Sequence, residues 1–94
     1  MLTLEELAVH MQLEIQTVRG WVEEGWLVSR EATDLIFSDV DLARAQLIVD
    51  LKEDIGVNDE GVGIILDLLD QVHGLRNALR TVGQTLVAAG ALAR

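Results

Sequence analysis

The sequence predicts a mainly α-helical protein: three short helices, a small β-hairpin and one long C-terminal helix. Three observations predict it. Two capping boxes, T-L-E-E from Thr3 and S-D-V-D from Ser38, mark helix starts, while Gly25 and Gly56 mark helix stops. From Asp59 onward no proline interrupts the chain. Over that stretch apolar residues recur in alternating steps of four and three, the spacing of a heptad seam.

The first helix begins at Thr3, whose hydroxyl caps the turn while Glu6 reaches back. Leu4, Leu7 and Ala8 form its buried stripe, His10 and Met11 end it, and Leu13 plugs the core in the turn. The second helix is expected from about Glu14 to Glu24. Ile15, Val18 and Val22 make its buried face, with Trp21 beside them. Gly25 supplies the left-handed residue that stops it. Trp26 to Val28 and Leu35 to Phe37 read as two short strands around the turn SREATD, a hairpin whose turn type no Asn-Gly or Asp-Gly fixes. Ser38 opens the third helix, with Val40, Leu42 or Ala43, Leu47, Leu51 and Ile55 at helical spacing, and Gly56 closes it.

Asn58 caps the last helix, with Asp59 and Glu60 in its first turn. Gly61, Ile65, Leu68, Val72, Leu75, Leu79, Val82, Leu86 and Ala89 make the a/d seam. Some thirty helical residues span roughly 45 Å at a rise of about 1.5 Å each. The small N-terminal core cannot cover that length, so the seam calls for the same helix of a second subunit. Ile64, Leu66 and Leu69 widen the apolar face near its start, where it can also dock on its own domain. Gly63, Gly74, Gly83 and Gly90 weaken the helix, and either close packing or fraying beyond Arg80 accommodates them. The expected division is a winged helix-turn-helix-like domain over residues 1–56 and a dimerisation helix over 57–94.

Composition narrows the function. Half of the residues are hydrophobic, more than a small core consumes, and the surplus suggests a partner subunit. No cysteine is present, which excludes disulfides, thiolate metal sites and cysteine nucleophiles. His10 and His73 lack neighbouring ligands, so no metal or other cofactor is expected, and no nucleophile–base pair or phosphate-cradling loop suggests an enzyme. No stretch has the length of a membrane helix, and the opening MLTLEE has no basic leader, so a soluble cytoplasmic protein is expected. The net charge is −9. Over Met1 to Asp54, twelve carboxylates stand against Arg19, Arg30, Arg44 and Lys52, a net of −8. That balance opposes direct nucleic-acid binding, which Lys and Arg drive by neutralising phosphates, and favours a basic partner.

The opening LTLEELA, the segment TVRGWVEEGWL ending at Arg30, the block IFSDVDLARAQLI and the run DIGVNDEGVGIILDLLD together resemble the MerR superfamily over most of Met1 to Asp70. Within it the chain looks most like the chaperone modulators of the CbpM type. The resemblance implies a small acidic homodimer with antiparallel pairing of the long helices and no effector domain. It implies a partner, the J-domain of a CbpA/DnaJ-type co-chaperone, and inhibition of that protein's co-chaperone and DNA-binding activity. DNA-binding members of the superfamily carry an arginine in the second wing strand. Leu35-Ile36-Phe37 stand here instead.

Two acidic faces are candidate partner sites: Glu23 and Glu24 at the end of the second helix, and Asp50, Glu53, Asp54, Asp59 and Glu60 around Gly56. A solvated surface and helix capping explain the same residues without a partner. The candidate dimer residues are Ile65, Leu68, Val72, Leu75, Leu79, Val82 and Leu86. The alternative function is a MerR-family DNA-binding transcriptional regulator, reading an operator through Gln16, Thr17, Arg19 and Arg30. Arg19 is read more readily as a partner of Glu23 at i+4, and Trp21 and Trp26 as core and rim. An antitoxin or excisionase-like factor shares the fold, but the long heptad helix argues against it.

Overall fold

The computed structural model describes residues 1–31 and 33–93. Ala32 of the expected wing turn and Arg94 at the tail lie outside the described residues. The elements in order are β1 (Leu2–Thr3), α1 (Leu4–Met11), α2 (Ile15–Glu23), β2 (Ile36–Phe37), α3 (Asp39–Val49), a π-helical turn (Asp50–Ile55) and α4 (Asp59–Ala93). The mainly α-helical, winged helix-turn-helix class with a long C-terminal helix is the one expected. Two compact units result, Met1–Val62 and the stretch from Gly63.

Both capping boxes form. Glu6 N–H donates to Thr3 Oγ1 at 3.1 Å and Thr3 N–H to Glu6 Oε1 at 3.3 Å. Leu4, Leu7 and Ala8 are then buried along α1. Gln12 ends the helix in the left-handed region, its N–H bonded to Ala8 and Val9. On α2, Val18 and Trp21 are buried. Gly25 follows with φ of +80°, where a side chain is strained, and turns the chain so that Trp26 N–H reaches Trp21 O at 2.9 Å.

The wing departs from the expected hairpin in its pairing. The second expected strand forms at Ile36–Phe37, but its partner is the chain start, with Leu2 opposite Phe37 and Thr3 opposite Ile36. Trp26 and Leu27 cannot leave the core to lie in a ladder, because they are 7% and 1% exposed. The connection is closed instead by Ser29 and Arg30. Ser29 Oγ accepts from Ile36 N–H at 3.0 Å and lies 2.8 Å from Glu31 O and Asp34 O, while Arg30 N–H donates to Ile36 O at 2.8 Å.

Asp41 organises the start of α3. Its carboxylate is buried and accepts from Ser38 N–H at 2.8 Å, Ser38 Oγ–H at 3.0 Å and Arg30 Nε–H at 3.2 Å. Arg30 Nη2 also donates to Ser38 Oγ at 2.8 Å. The buried stripe of this helix is consequently Asp41, Ala45, Ile48 and Leu51. The apolar spacing had pointed to Val40 and Ile55, and both are 69% exposed. Three hydrogen bonds draw Asp41 inward and turn the helix by one position. The π-helical turn, rare because its bonds close over an extra residue, then changes the phase again before Gly56 stops it at φ +83°. Leu51 O accepts from both Gly56 N–H and Val57 N–H.

Asn58 Oδ1 caps α4 by accepting from Gly61 N–H at 2.8 Å. Leu66 is buried, whereas Ile64, expected to widen the docking face, is 61% exposed. The helix continues to Ala93, so the glycines do not end it near Arg80. Within it the hydroxyls of Thr81 and Thr85 donate to the carbonyls of Asn77 and Thr81, four residues back.

The Asp41 network sets a stability order. Asp41→Ala leaves Arg30 without its buried partner and Ser38 without its cap, and is expected to cost about 2–3 kcal/mol. Thr3→Ala, which removes one exposed cap, should cost about 1 kcal/mol. Urea denaturation of the two variants checks the order, and an equal cost would contradict it.

Candidate functional site

The two acidic faces that the sequence leaves separate meet in one place. Within the first unit, a cleft of about 290 Å³ is lined by Gln16, Thr17, Gly20, Glu23 and Glu24 of α2, by Trp21 and Trp26, and by Lys52 and Asp59 from either side of Gly56. An adjoining depression shares Lys52 and Asp59 and adds Glu53, Val57, Asn58 and Glu60. The result is a continuous concave surface of five carboxylates with a single lysine at its centre.

Each lining group is held there for a local reason. Gly25 and the Trp26 N–H bond bring Trp26 back beneath α2. The two indoles are tilted by 36° with centroids 6.5 Å apart, a favourable aromatic pair. Arg44 Nε donates to Trp26 O and fastens that residue to α3. Lys52 comes from the π-helical turn. Its ammonium forms an ion pair with Asp59 and sits 5.8 Å from the Trp26 ring centroid, a cation–π contact.

The expected site residues distribute unevenly. Glu23, Glu24 and Asp59 line the cleft, and Glu53 and Glu60 line the depression beside it. Asp50 is half-buried and accepts from Gln46 Nε2 at 2.9 Å. Asp54 is exposed and lines neither concavity. Trp26 is part of the core. Lys52 is the cleft residue that sequence spacing missed. Its partners are seven residues on, across a turn, and on a distant segment, so no periodic signal links them.

Of the residues in the DNA reading, Gln16 and Thr17 open onto the cleft. Arg19 lies elsewhere, in a depression with Glu5 and Asp34. Among the described residues it forms no ion pair, so the expected i+4 pair with Glu23 is not made. Exposed pairs of that kind contribute little, so little energy is lost when the pair with Glu23 does not form. Arg30 is committed to Asp41 and Ser38. Among the described residues no group of three or more His, Cys, Asp or Glu could hold a metal ion, and no helix is long and apolar enough to cross a membrane.

On the second unit the candidate dimer residues present an apolar row to solvent in the single chain. Leu68, Val72, Leu75, Leu79, Val82 and Leu86 are 40–71% exposed, and Ile65 is half-buried.

A helix-turn-helix with a short antiparallel sheet and a long terminal helix defines a class, and comparison with known proteins agrees. Residues 2–84 match the MerR HTH family regulatory proteins, and the chain belongs to that family. Its similarity to chaperone modulators is also direct. The Chaperone modulatory protein CbpM of Coxiella burnetii (strain Dugway 5J108-111) is 36% identical over 86 residues, covering 86% of this chain and 78% of the relative. The protein of the same name from strain RSA 331 / Henzerling II matches to the same extent. These are regulatory and modulatory proteins by name. No solved structure matches the chain.

Gly20 offers a separate handle on the cleft. A Cβ built there meets nothing within 4 Å. Gly20→Ala is therefore expected to stabilise α2 by about 0.5–1 kcal/mol while placing a methyl group on the cleft wall. A rise in melting temperature together with weaker partner binding is the expected result; a loss of stability would contradict the open space.

Proposed function

We propose that the protein is a chaperone modulator that binds the J-domain of a CbpA/DnaJ-type co-chaperone and inhibits its co-chaperone and DNA-binding activity. The observation that carries this reading is the acidic cleft between α2 and the Gly56 turn, in a chain whose relatives are named as chaperone modulatory proteins. J-domains present a basic helix to Hsp70. Glu23, Glu24, Glu53, Asp59 and Glu60 give a concave surface of opposite sign for that helix. A modulator seated there blocks Hsp70 by competition, and complementary charge speeds the encounter. The role is one of binding and occlusion and uses no catalytic group or cofactor. The compartment of the proposal is the cytoplasm, where such a partner works.

The acting unit is a homodimer joined through α4. The exposed row from Leu68 to Leu86 supports it, because a solvated seam of that length is costly and a second copy covers it without new chemistry.

The alternative is a MerR-type regulator that binds an operator directly. The family match and the exposed Gln16, Thr17 and Arg19 favour it. Against it stand the engaged Arg30 and the −8 balance of the first 54 residues, since few positive charges remain to meet phosphates.

Calorimetry with the cognate J-domain protein tests the main reading. Binding at micromolar concentration in low salt is expected. Glu23→Lys with Glu24→Lys, and separately Glu53→Lys with Glu60→Lys, should each lower affinity about tenfold or more. Undiminished binding by both pairs excludes the cleft. A gel shift against the region upstream of the gene separates the alternative: saturable, sequence-specific binding at moderate salt would replace the proposal.

Val72→Asp with Leu79→Asp tests the seam. Monomers or unfolded chains are expected by light scattering, and an unaltered dimer would refute it.

A further inference from the structure

We propose that the cleft is a seat for an organic cation, that a partner's basic side chain takes this seat, and that Lys52 occupies it in the free protein. This rests on the reading that the cleft docks a basic partner and adds how entry to it is controlled. A carboxylate beside an aromatic face is the pair of groups that holds an alkylammonium or guanidinium ion. Asp59 and Trp26 form that pair, and the Lys52 ammonium lies against both. Lys52 is the chain's only lysine. Its flexible stem leaves the π-helical turn, and both concavities have it in their walls.

The occupancy is reversible by its chemistry. The Asp59 side chain is 72% exposed, so its ion pair with Lys52 is screened and weak. A guanidinium entering from outside can stack its plane on the Trp26 ring and bind Asp59 through two donors, neither of which a lysine can match. Glu23 and Glu24, which line the same cleft from the end of α2, then attract further positive charge on the same partner. Lys52 thus acts as a built-in competitor. It offsets the charge of Asp59 against stray cations and leaves an advantage to a partner that brings arginine together with a complementary helix.

The test titrates the full-length chain with two probes, the cognate J-domain protein and a synthetic arginine-rich peptide. Lys52→Met removes the charge and keeps the stem, and is expected to bind each probe about five- to tenfold more tightly at low ionic strength. Lys52→Arg, which fills the seat more firmly, should bind no better than wild type. Arg80→Met changes net charge equally without lining the cleft and should leave affinity unchanged. Circular dichroism confirms that each variant is folded. Unchanged or weaker binding of the arginine-rich peptide by folded Lys52→Met overturns the seat, as does the absence of any peptide binding to that variant. Tighter peptide binding with no response to the J-domain protein upholds the seat and removes the J-domain reading. Protein labelled with ¹³C-lysine gives one lysine spin system. Its ε-methylene signal, shifted by the Trp26 ring current in the free protein, should move to the position of a solvated lysine on saturation. A signal that stays in place on saturation also overturns the proposal.

Discussion

The anchoring of Trp26 is the constraint on which the first unit depends. Its N–H is bonded to Trp21 O, its carbonyl accepts from Arg44, its indole leans on that of Trp21, and its ring faces Lys52. Four contacts from one residue connect the end of α2, the wing segment, α3 and the π-helical turn. Because Trp26 is buried, the segment after Gly25 cannot lie flat as a wing strand. The sheet therefore closes on the chain start, and Ser29 and Arg30 supply the bonds that a hairpin ladder would have made. The same anchoring fixes the distance between α2 and the Gly56 turn, and so creates the cleft.

Function follows from what that cleft replaces. A DNA-reading helix needs positive charge around it. Here Arg30 is spent on Asp41, a buried carboxylate at a helix start, where it serves folding. The surface of α2 that remains open carries Gln16, Thr17, Glu23 and Glu24, and the adjoining turn adds more carboxylate. An inherited helix-turn-helix frame thus presents acid where its DNA-binding relatives need base. The frame gives geometry, and the charge pattern is the ground for proposing a basic partner over a phosphate backbone.

The helices were legible in the sequence because their signals are local. Thr3 with Glu6, Ser38 with Asp41, Gly25, Gly56 and Asn58 each act within a few residues, and all five sit where the spacing put them. The buried stripe of α3 was less legible. Apolar periodicity assigns the interior by hydrophobicity, whereas Asp41 is interior because three donors converge on it. The strand pairing was not legible, since Leu2 and Phe37 are far apart and each segment is only two residues long. The acidic residues were visible as two groups. That they form one surface depends on Lys52 and Trp26, whose contact spans 26 positions and a non-α turn. The apolar row of α4 was visible in its spacing, because a heptad pattern is a property of one helix.

The decisive observable is where a partner touches the first unit. Hydrogen–deuterium exchange of the full-length protein, alone and saturated with the cognate J-domain protein, measures it. Added protection is expected in two separate stretches, Gln16 to Glu24 and Lys52 to Glu60, appearing together at one stoichiometric ratio. Protection confined to α1 and the β1–β2 sheet, with both stretches unchanged, would contradict the cleft as the docking surface.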